Sequence, residues 1–262
     1  MDPLPELASL GREQLQDFLE KKVASGLSAS VVSHLRWDLR AIFRLAVEDG
    51  VVERNPATSL VTPAAAHRSV KRVMNREDVV KILSGLELRE RLVTRLAIFA
   101  GLRPGEIFGL KWQHIRKDGA VIEQRLYRGK INTPKTRRSV RTAAFTPGIV
   151  SELEEWRSLC PSSQPDAWVF PSERLITPLD KANWWRRDME PKLKPLGLQW
   201  ATFQVMRRTH ASLFQAGRHR SESCGRSARP RVRSESGCLY TKSDLEQRSE
   251  AVKKLESEVM AA

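Results

Sequence analysis

Gly101-Leu102-Arg103-Pro104-Gly105-Glu106-Ile107-Phe108-Gly109-Leu110-Lys111-Trp112 ends one helix and begins another. Apolar spacing just upstream predicts a helix over about 90–100, and glycine is the residue type that closes such a helix in a left-handed turn. Pro104 lacks an N–H and has a pre-set φ, which suits the first turn of a further, shorter helix. Between them stands Arg103, a permanently charged fork at a helix junction. Glu106, three positions on, is placed to hold Arg103 or the new helix start.

Toward the N-terminus the pattern is helical. Leu15, Phe18, Leu19 and Val23 predict a helix over 12–25; Val32, Leu35, Leu39, Ile42, Phe43 and Ala46 predict one over 30–49. Ser28 or Ser30 can cap the second helix and Gly50 can end it, while Asn55-Pro56 forces the chain out of helix. The stretch from Val61 to Arg72 reads as a linker. The expected division is a helical module over 1–62, a linker over 63–74 and a larger domain over 75–262. That domain opens with a helix capped by Asn75, carrying Val79, Val80, Ile82 and Leu83 on one side. Strand composition follows from Ala120 to Phe145, with a turn at Arg128-Gly129 and a strand over Val140 to Phe145. Helices return near 148–158, 180–190, 203–216 and 243–258. The fold class expected is mainly α with one small antiparallel sheet, an α+β arrangement.

Composition bounds the function. The 262 residues allow one or two domains with ordinary cores, and 40% apolar content excludes a collagen-like or wholly disordered chain. No uncharged apolar stretch approaches the ~18 residues of a membrane span. Met1-Asp2-Pro3 lacks a basic n-region and an apolar h-region, so no signal peptide is expected. Three cysteines, with no pair at CxxC spacing, argue against a disulfide framework or a zinc site, and a reducing cytoplasm fits. Forty-five Lys and Arg against 31 Asp and Glu give +14, the footprint of a protein that meets a polyanion. From Arg125 to Thr142 there are seven basic residues and no acid. Arg128, Lys130, Arg137 and Arg138 in this run are the expected phosphate contacts.

The quoted stretch, with its helix end, Arg, Gly-Glu and Leu-x-Trp, resembles the first arginine box of the tyrosine recombinases, the phage integrase family. Thr133-Pro134-Lys135-Thr136-Arg137-Arg138 resembles the family's strand-turn lysine segment, and Phe203-Gln204-Val205-Met206-Arg207-Arg208-Thr209-His210-Ala211-Ser212-Leu213 its second arginine box. Tyr240-Thr241, followed by a helix, resembles the tyrosine segment, and residues 10–62 the helical core-binding domain. The resemblance covers nearly the whole chain in the expected order. It implies a DNA strand transferase acting on duplex DNA as a homotetramer on synapsed sites, with no cofactor, metal or small-molecule substrate. The implied catalytic residues are Arg103, Lys135, Arg207 and Tyr240, supported by Glu106 and Gln204. Arg208 is expected on backbone phosphate, and His210 at a packing position.

The chemistry asks for these residue types. Cutting a phosphodiester without a metal needs a nucleophile, positive charge on the non-bridging oxygens and a proton for the leaving sugar oxygen. Guanidinium groups stay charged and bond phosphate through paired N–H groups, and a preorganised pair meets the charge as it develops. A tyrosine stores the bond as a phosphotyrosine ester, so religation needs no ATP. Only Tyr127 and Tyr240 are present; Tyr127 sits in strand pattern, which leaves Tyr240. Lys135 is expected to protonate the leaving 5′-oxygen.

Two departures stand out. The second box of the family opens on histidine, where this chain has Gln204; an amide bonds phosphate but transfers no proton near neutral pH. From Arg218 to Cys238 the chain shows six Arg, five Ser and one branched aliphatic, Val232, where the family has a helix and a Leu-Gly-His segment. No amphipathic helix passes through this composition, so low helix content is expected there. Reading the messenger from the second base of each codon over 218–239, with permitted codon choices, restores a helical segment with Leu-Gly-His. Its histidine then falls at the Pro230/Arg231 junction, nine residues before Tyr240. Two compensating frameshifts are the hypothesis. The rival functions are a non-catalytic DNA-binding remnant and a type IB topoisomerase; the separate helical module and the integrase-like second box stand against the latter.

Overall fold

The computed structural model describes residues 6–68, 70–132, 141–222 and 245–260. The chain divides into two compact units, Met1–Lys71 and Arg72–Ala262.

In the first unit a short 3-10 turn, Leu7–Ser9, precedes helices α1 (Arg12–Ala24) and α2 (Ala29–Glu48). Ser28 stands at the start of α2, and Gly50, at φ +72°, follows its end. Leu15, Leu19, Val32, Phe43, Ala57 and Leu60 form the core. Phe18 and Ile42 were expected inside but are 37% and 48% exposed. Two helices sharing one small core bury only a narrow stripe of each, and Leu15 and Leu19, one turn apart, fill it on α1. The segment after Asn55-Pro56 has no ladder to bond with. Arg40 supplies the donors instead, from Nε to the Ala57 carbonyl (3.1 Å) and from Nη2 to those of Thr58 (2.7 Å) and Leu60 (3.0 Å).

The second unit begins inside the expected linker, and Met74 is already buried in its core. Helix α3 (Arg76–Ser84) starts with a reciprocal cap: Asp78 N–H donates to Asn75 Oδ1 (2.7 Å) and Asn75 N–H to Asp78 Oδ2 (3.1 Å). Helix α4 (Leu88–Ile98) is the central element, with Leu92, Val93, Leu96, Ala97 and Ile98 buried. Helix α5 (Pro104–Ile107) follows the Gly101 turn. Strands β1 (Ile115–Arg116), β2 (Gly119–Ile122), β3 (Arg125–Tyr127), β4 (Lys130–Asn132) and β5 (Arg141–Ala144) come next.

The single sheet expected from sequence is two among the described residues. One is antiparallel in the order β1-β2-β5; the other is the β3-β4 hairpin, turning at Arg128 and Gly129, both at positive φ. The chain leaves the first sheet after Ile122 because its next side chains are engaged elsewhere. Glu123 Oε1 lies 3.2 Å from His114 Nε2, and Gln124 Nε2 donates to the Gly109 carbonyl at 2.6 Å.

Helix α6 (Pro147–Leu159) is capped by Thr146. Helix α7 (Lys181–Trp184) runs through a π turn (Trp185–Met189) into α8 (Glu190–Leu193). The widened turn lies just ahead of Pro191, which lacks an N–H and crowds the preceding turn. Helix α9 (Phe203–Glu222) continues six residues past its expected end, so 218–222 is helical where low helix content was expected; backbone hydrogen bonds propagate a helix even where no apolar stripe continues. The rest of that anomalous segment, with Tyr240, lies outside the described residues. Helix α10 (Leu245–Met260) closes the order.

Aromatic rings form the centre of the unit. Phe108, fully buried, meets Phe170, Trp184 and Phe203 edge-on, with centroids 6.0, 5.3 and 6.2 Å away. Arg95 of α4 ties down two helices, with Nε 3.0 Å from Glu152 of α6 and Nη1 on Glu256 of α10. Arg76 Nε adds a bond to the Val259 carbonyl at 3.0 Å.

Candidate active site

The turn after α4 aims Arg103. Gly101 takes φ +62°, and the N–H of Leu102 then donates to the Leu96 carbonyl at 3.1 Å. Leu102 is fully buried, so its neighbour projects from a rigid base, and the Arg103 side chain is half exposed. Gly105 permits a close approach: a Cβ there would stand 2.4 Å from the carbonyl oxygen of Leu126 in β3. That contact sets the β3-β4 hairpin against the start of α5.

Glu106 organises the cations. It is 7% exposed, and its two oxygens serve three donors. Oε2 accepts the Arg103 backbone N–H (2.8 Å) and Arg141 Nη2 (2.7 Å), while Oε1 accepts Arg103 Nη1 (3.0 Å). A buried carboxylate held this way restricts the rotamers of both arginines.

Helix α9 brings in the second box. Val205, Met206 and Thr209 face the core, and Thr209 Oγ1 accepts the Met74 N–H at 2.9 Å. Gln204 and Arg207 therefore lie on the outer side, and Arg207 Nη1 donates to the Gly101 carbonyl, 106 positions earlier. The turn that aims Arg103 thus also anchors Arg207. His210, one turn on, donates from Nδ1 to the Ile98 carbonyl at 2.8 Å and packs its ring on Gly101. Burial pushes its pKa down to about 4, and the charges of Arg207 and Arg141 push the same way against that hydrogen bond. A neutral, carbonyl-bound imidazole here is a packing group.

Arg103, Gln204 and Arg207 line one open cavity of roughly 730 Å³, with Trp185 and Phe203 on its apolar side. An adjoining cavity of roughly 430 Å³ shares Arg103 and is lined by Arg125, Tyr127 and Arg128. Tyr127 is 55% exposed, with the Arg128 guanidinium 5.4 Å from its ring centre. Arg208 lines neither cavity, and Lys130 lies beside the hairpin turn in β4. Lys135, Arg137, Arg138 and Tyr240 lie outside the described residues. Sequence reasoning passed over Arg141 and Lys181. Arg141 belonged to the basic run but carried no signal of a partner 35 positions earlier, and nothing in sequence marks Lys181 as a cavity wall.

The family profile described as the phage integrase family matches residues 67–217, which contain both arginine boxes and the cavity between them. The chain belongs to the phage integrase family. This integrase-family chain is 26% identical over 237 residues to a tyrosine recombinase XerC-like protein of Caldanaerobacter subterraneus subsp. tengcongensis, a match covering 78% of this chain and 60% of that one. It spans about half of the curated relatives it matches, 44% of the ICEBs1 integrase of Bacillus subtilis for instance, where identity is 24% over 58% of this chain. In fold it is similar to the Tn1549 transposon integrase in complex with transposon right end DNA, at TM-score 0.70 and 16% identity. That likeness covers 99% of this chain and 88% of the other. Among the described residues no helix is long and apolar enough to cross a membrane.

Proposed function

We propose that this chain is built as a site-specific DNA strand transferase, cutting and rejoining duplex DNA through a 3′-phosphotyrosyl intermediate. The observation that carries the reading is the shared cavity: Arg103 and Arg207, from separate boxes, open onto one space and are anchored through one turn, at Gly101. Two guanidiniums on the non-bridging oxygens of one phosphate stabilise the charge that grows as phosphorus becomes five-coordinate. The Tyr240 hydroxyl gives its proton to solvent as its oxygen attacks phosphorus, the bond to the 5′-oxygen breaks, and Lys135 gives that leaving oxygen its proton. The freed 5′-hydroxyl of another strand reverses these steps and restores the phosphodiester. Gln204 holds a phosphate oxygen without proton transfer. Arg128, Lys130, Arg137, Arg138 and Arg208 meet flanking phosphates, and the module over 1–62 grips the duplex across the linker. The active assembly is a homotetramer on paired sites, working in the cytoplasm.

The missing Leu-Gly-His segment supports a second reading, a DNA-binding remnant with impaired chemistry. One experiment separates the two. A pool of nicked random-sequence duplexes is incubated with the chain and with a version whose frame is restored over codons 218–239, and covalent adducts are mapped by mass spectrometry. Adducts at Tyr240 with both chains support the transferase. Adducts with the restored chain alone support the remnant reading. No Tyr240 adduct with either overturns the transferase assignment.

A further inference from the structure

Lys181 stands where the two cavities meet. Both are walled by Arg103, Pro104, Lys181 and Ala182, so the two spaces adjoin along this lysine. Its side chain is exposed and takes part in none of the side-chain hydrogen bonds or ion pairs among the described residues, while its backbone carbonyl accepts the Trp185 N–H. The neighbouring cations differ: Arg103 and Arg141 share Glu106, and Arg207 is tied to the Gly101 carbonyl. The acid beside it, Asp180, is committed as a cap, its Oδ1 accepting the Asn183 N–H at 2.8 Å.

We infer that Lys181 binds the DNA phosphate next to the one held by Arg103 and Arg207, making the two cavities one track for a single strand. The inference rests on the reading of the larger cavity as the phosphate site. A DNA strand carries a charge at every nucleotide, so it cannot place one phosphate beside Arg207 without sending the next along a wall of that cavity. The shared wall leads toward Arg125 and Arg128, and Lys181 is the cation at its threshold. A lysine suits that place, since a compact charge on a flexible stem can follow a moving phosphate, whereas a guanidinium fork imposes one geometry. Tyr127 offers the sugar an apolar surface further along. Lys181 is thus a positioning residue. It binds equally before and during the reaction, so its loss weakens binding more than it slows chemistry.

The test needs no known recognition sequence. Binding of the full chain to a fluorescent 30-base-pair duplex is measured from low to moderate salt for the parent, Lys181→Met, Lys181→Arg and Arg103→Ala, with melting temperatures as a folding control. Lys181→Met is expected to flatten the log–log salt slope by about 0.9 and weaken binding roughly five- to tenfold near 0.1 M salt, with melting unchanged. Lys181→Arg restores both, because it keeps the charge. Lysine acetylation mapped by mass spectrometry is expected to show Lys181 shielded by saturating duplex while Lys194, absent from both cavities, stays reactive. An unchanged slope for Lys181→Met beside a reduced one for Arg103→Ala overturns the role of Lys181 and leaves the larger cavity as the phosphate site. A parental slope near zero overturns both.

Discussion

Arg103 draws its precision from neighbours that never leave the protein. Leu102 is buried on one side, Gly101 fixes the turn, and Glu106 takes both the backbone N–H and one guanidinium nitrogen. Because the side chain is half exposed, its ion pair with Glu106 contributes little stability, less than about 1 kcal/mol, and Arg141 still satisfies the carboxylate without it. Arg103→Ala in the restored frame is therefore expected to melt near the parental temperature while losing on the order of a hundredfold or more in adduct formation on the trapped duplex. Parental adduct rates would remove Arg103 from the chemistry. His210 makes a different prediction, about stability. Its folded pKa is about 4 against an ordinary 6.5, so between these values the unfolded chain binds the extra proton. Its contribution is complete above about pH 6.5 and falls as the pH drops toward 4. Urea titrations across that range are expected to show stability falling with acid more steeply for the parent than for His210→Asn, which cannot titrate. Equal slopes would show that folding leaves the His210 pKa at its unfolded value.

At the scale of elements, α4 is the beam on which the second unit hangs. Its apolar faces fill the core, and its charged residues reach sideways. Arg91 and Arg95 both meet Glu152 of α6, Arg95 alone meets Glu256 of α10, and Arg89 and Lys192 meet Glu90. Burial would raise the Glu90 carboxyl, but the hydrogen bonds from Lys192 and Arg89 outweigh it and hold the group below the ordinary 4.5. These carboxylates are nearly closed to solvent, so removing a partner leaves an uncompensated buried charge. Arg95→Ala is expected to cost about 3 kcal/mol, read from denaturant midpoints, and to speed amide exchange in α10 more than in α3. Among the described residues Glu256 would keep only the Gly148 N–H, whereas Glu152 keeps Arg91. If α10 exchanged at its parental rate, the Arg95–Glu256 pair would not be what docks it, and the buried Val252 and Val259 with the Arg76 bond to the Val259 carbonyl would carry that role.

At the scale of the whole molecule, charge sets the behaviour. The chain carries +14, and the acid-free basic run from Arg125 to Thr142 contains the hairpin that walls the smaller cavity. Duplex binding is expected to weaken steeply with salt, by about 0.9 in log–log slope for each phosphate neutralised. Isothermal titrations at several salt concentrations check this, and a flat plot would separate the charge from DNA binding.

Much of the architecture was legible because it rests on interactions a few residues long. Asn75 with Asp78, Gly101 after a helical run and the Arg128-Gly129 turn each announce themselves through capping or backbone conformation within one turn of chain. The order of the motifs identified the family, since Arg103 with Glu106 and Arg207 with Gln204 stand at fixed local spacings. What the tertiary structure alone decided involves groups far apart in the chain. Glu106 is shared with an arginine 35 positions later, Arg207 is tied to a carbonyl 106 positions earlier, and Arg95 reaches Glu256 across 161 positions. The division of the strands into two sheets belongs here too, because Gln124 turns to the Gly109 carbonyl only once α5 is packed beside it. So does Lys181, an ordinary surface lysine until the Gly101 turn, α7 and the hairpin close around one wall. Local conformation follows from sterics and hydrogen bonds along neighbouring residues, but which distant charges meet is set by how the buried faces of α4, α5 and α9 pack, and a linear pattern does not encode that distance.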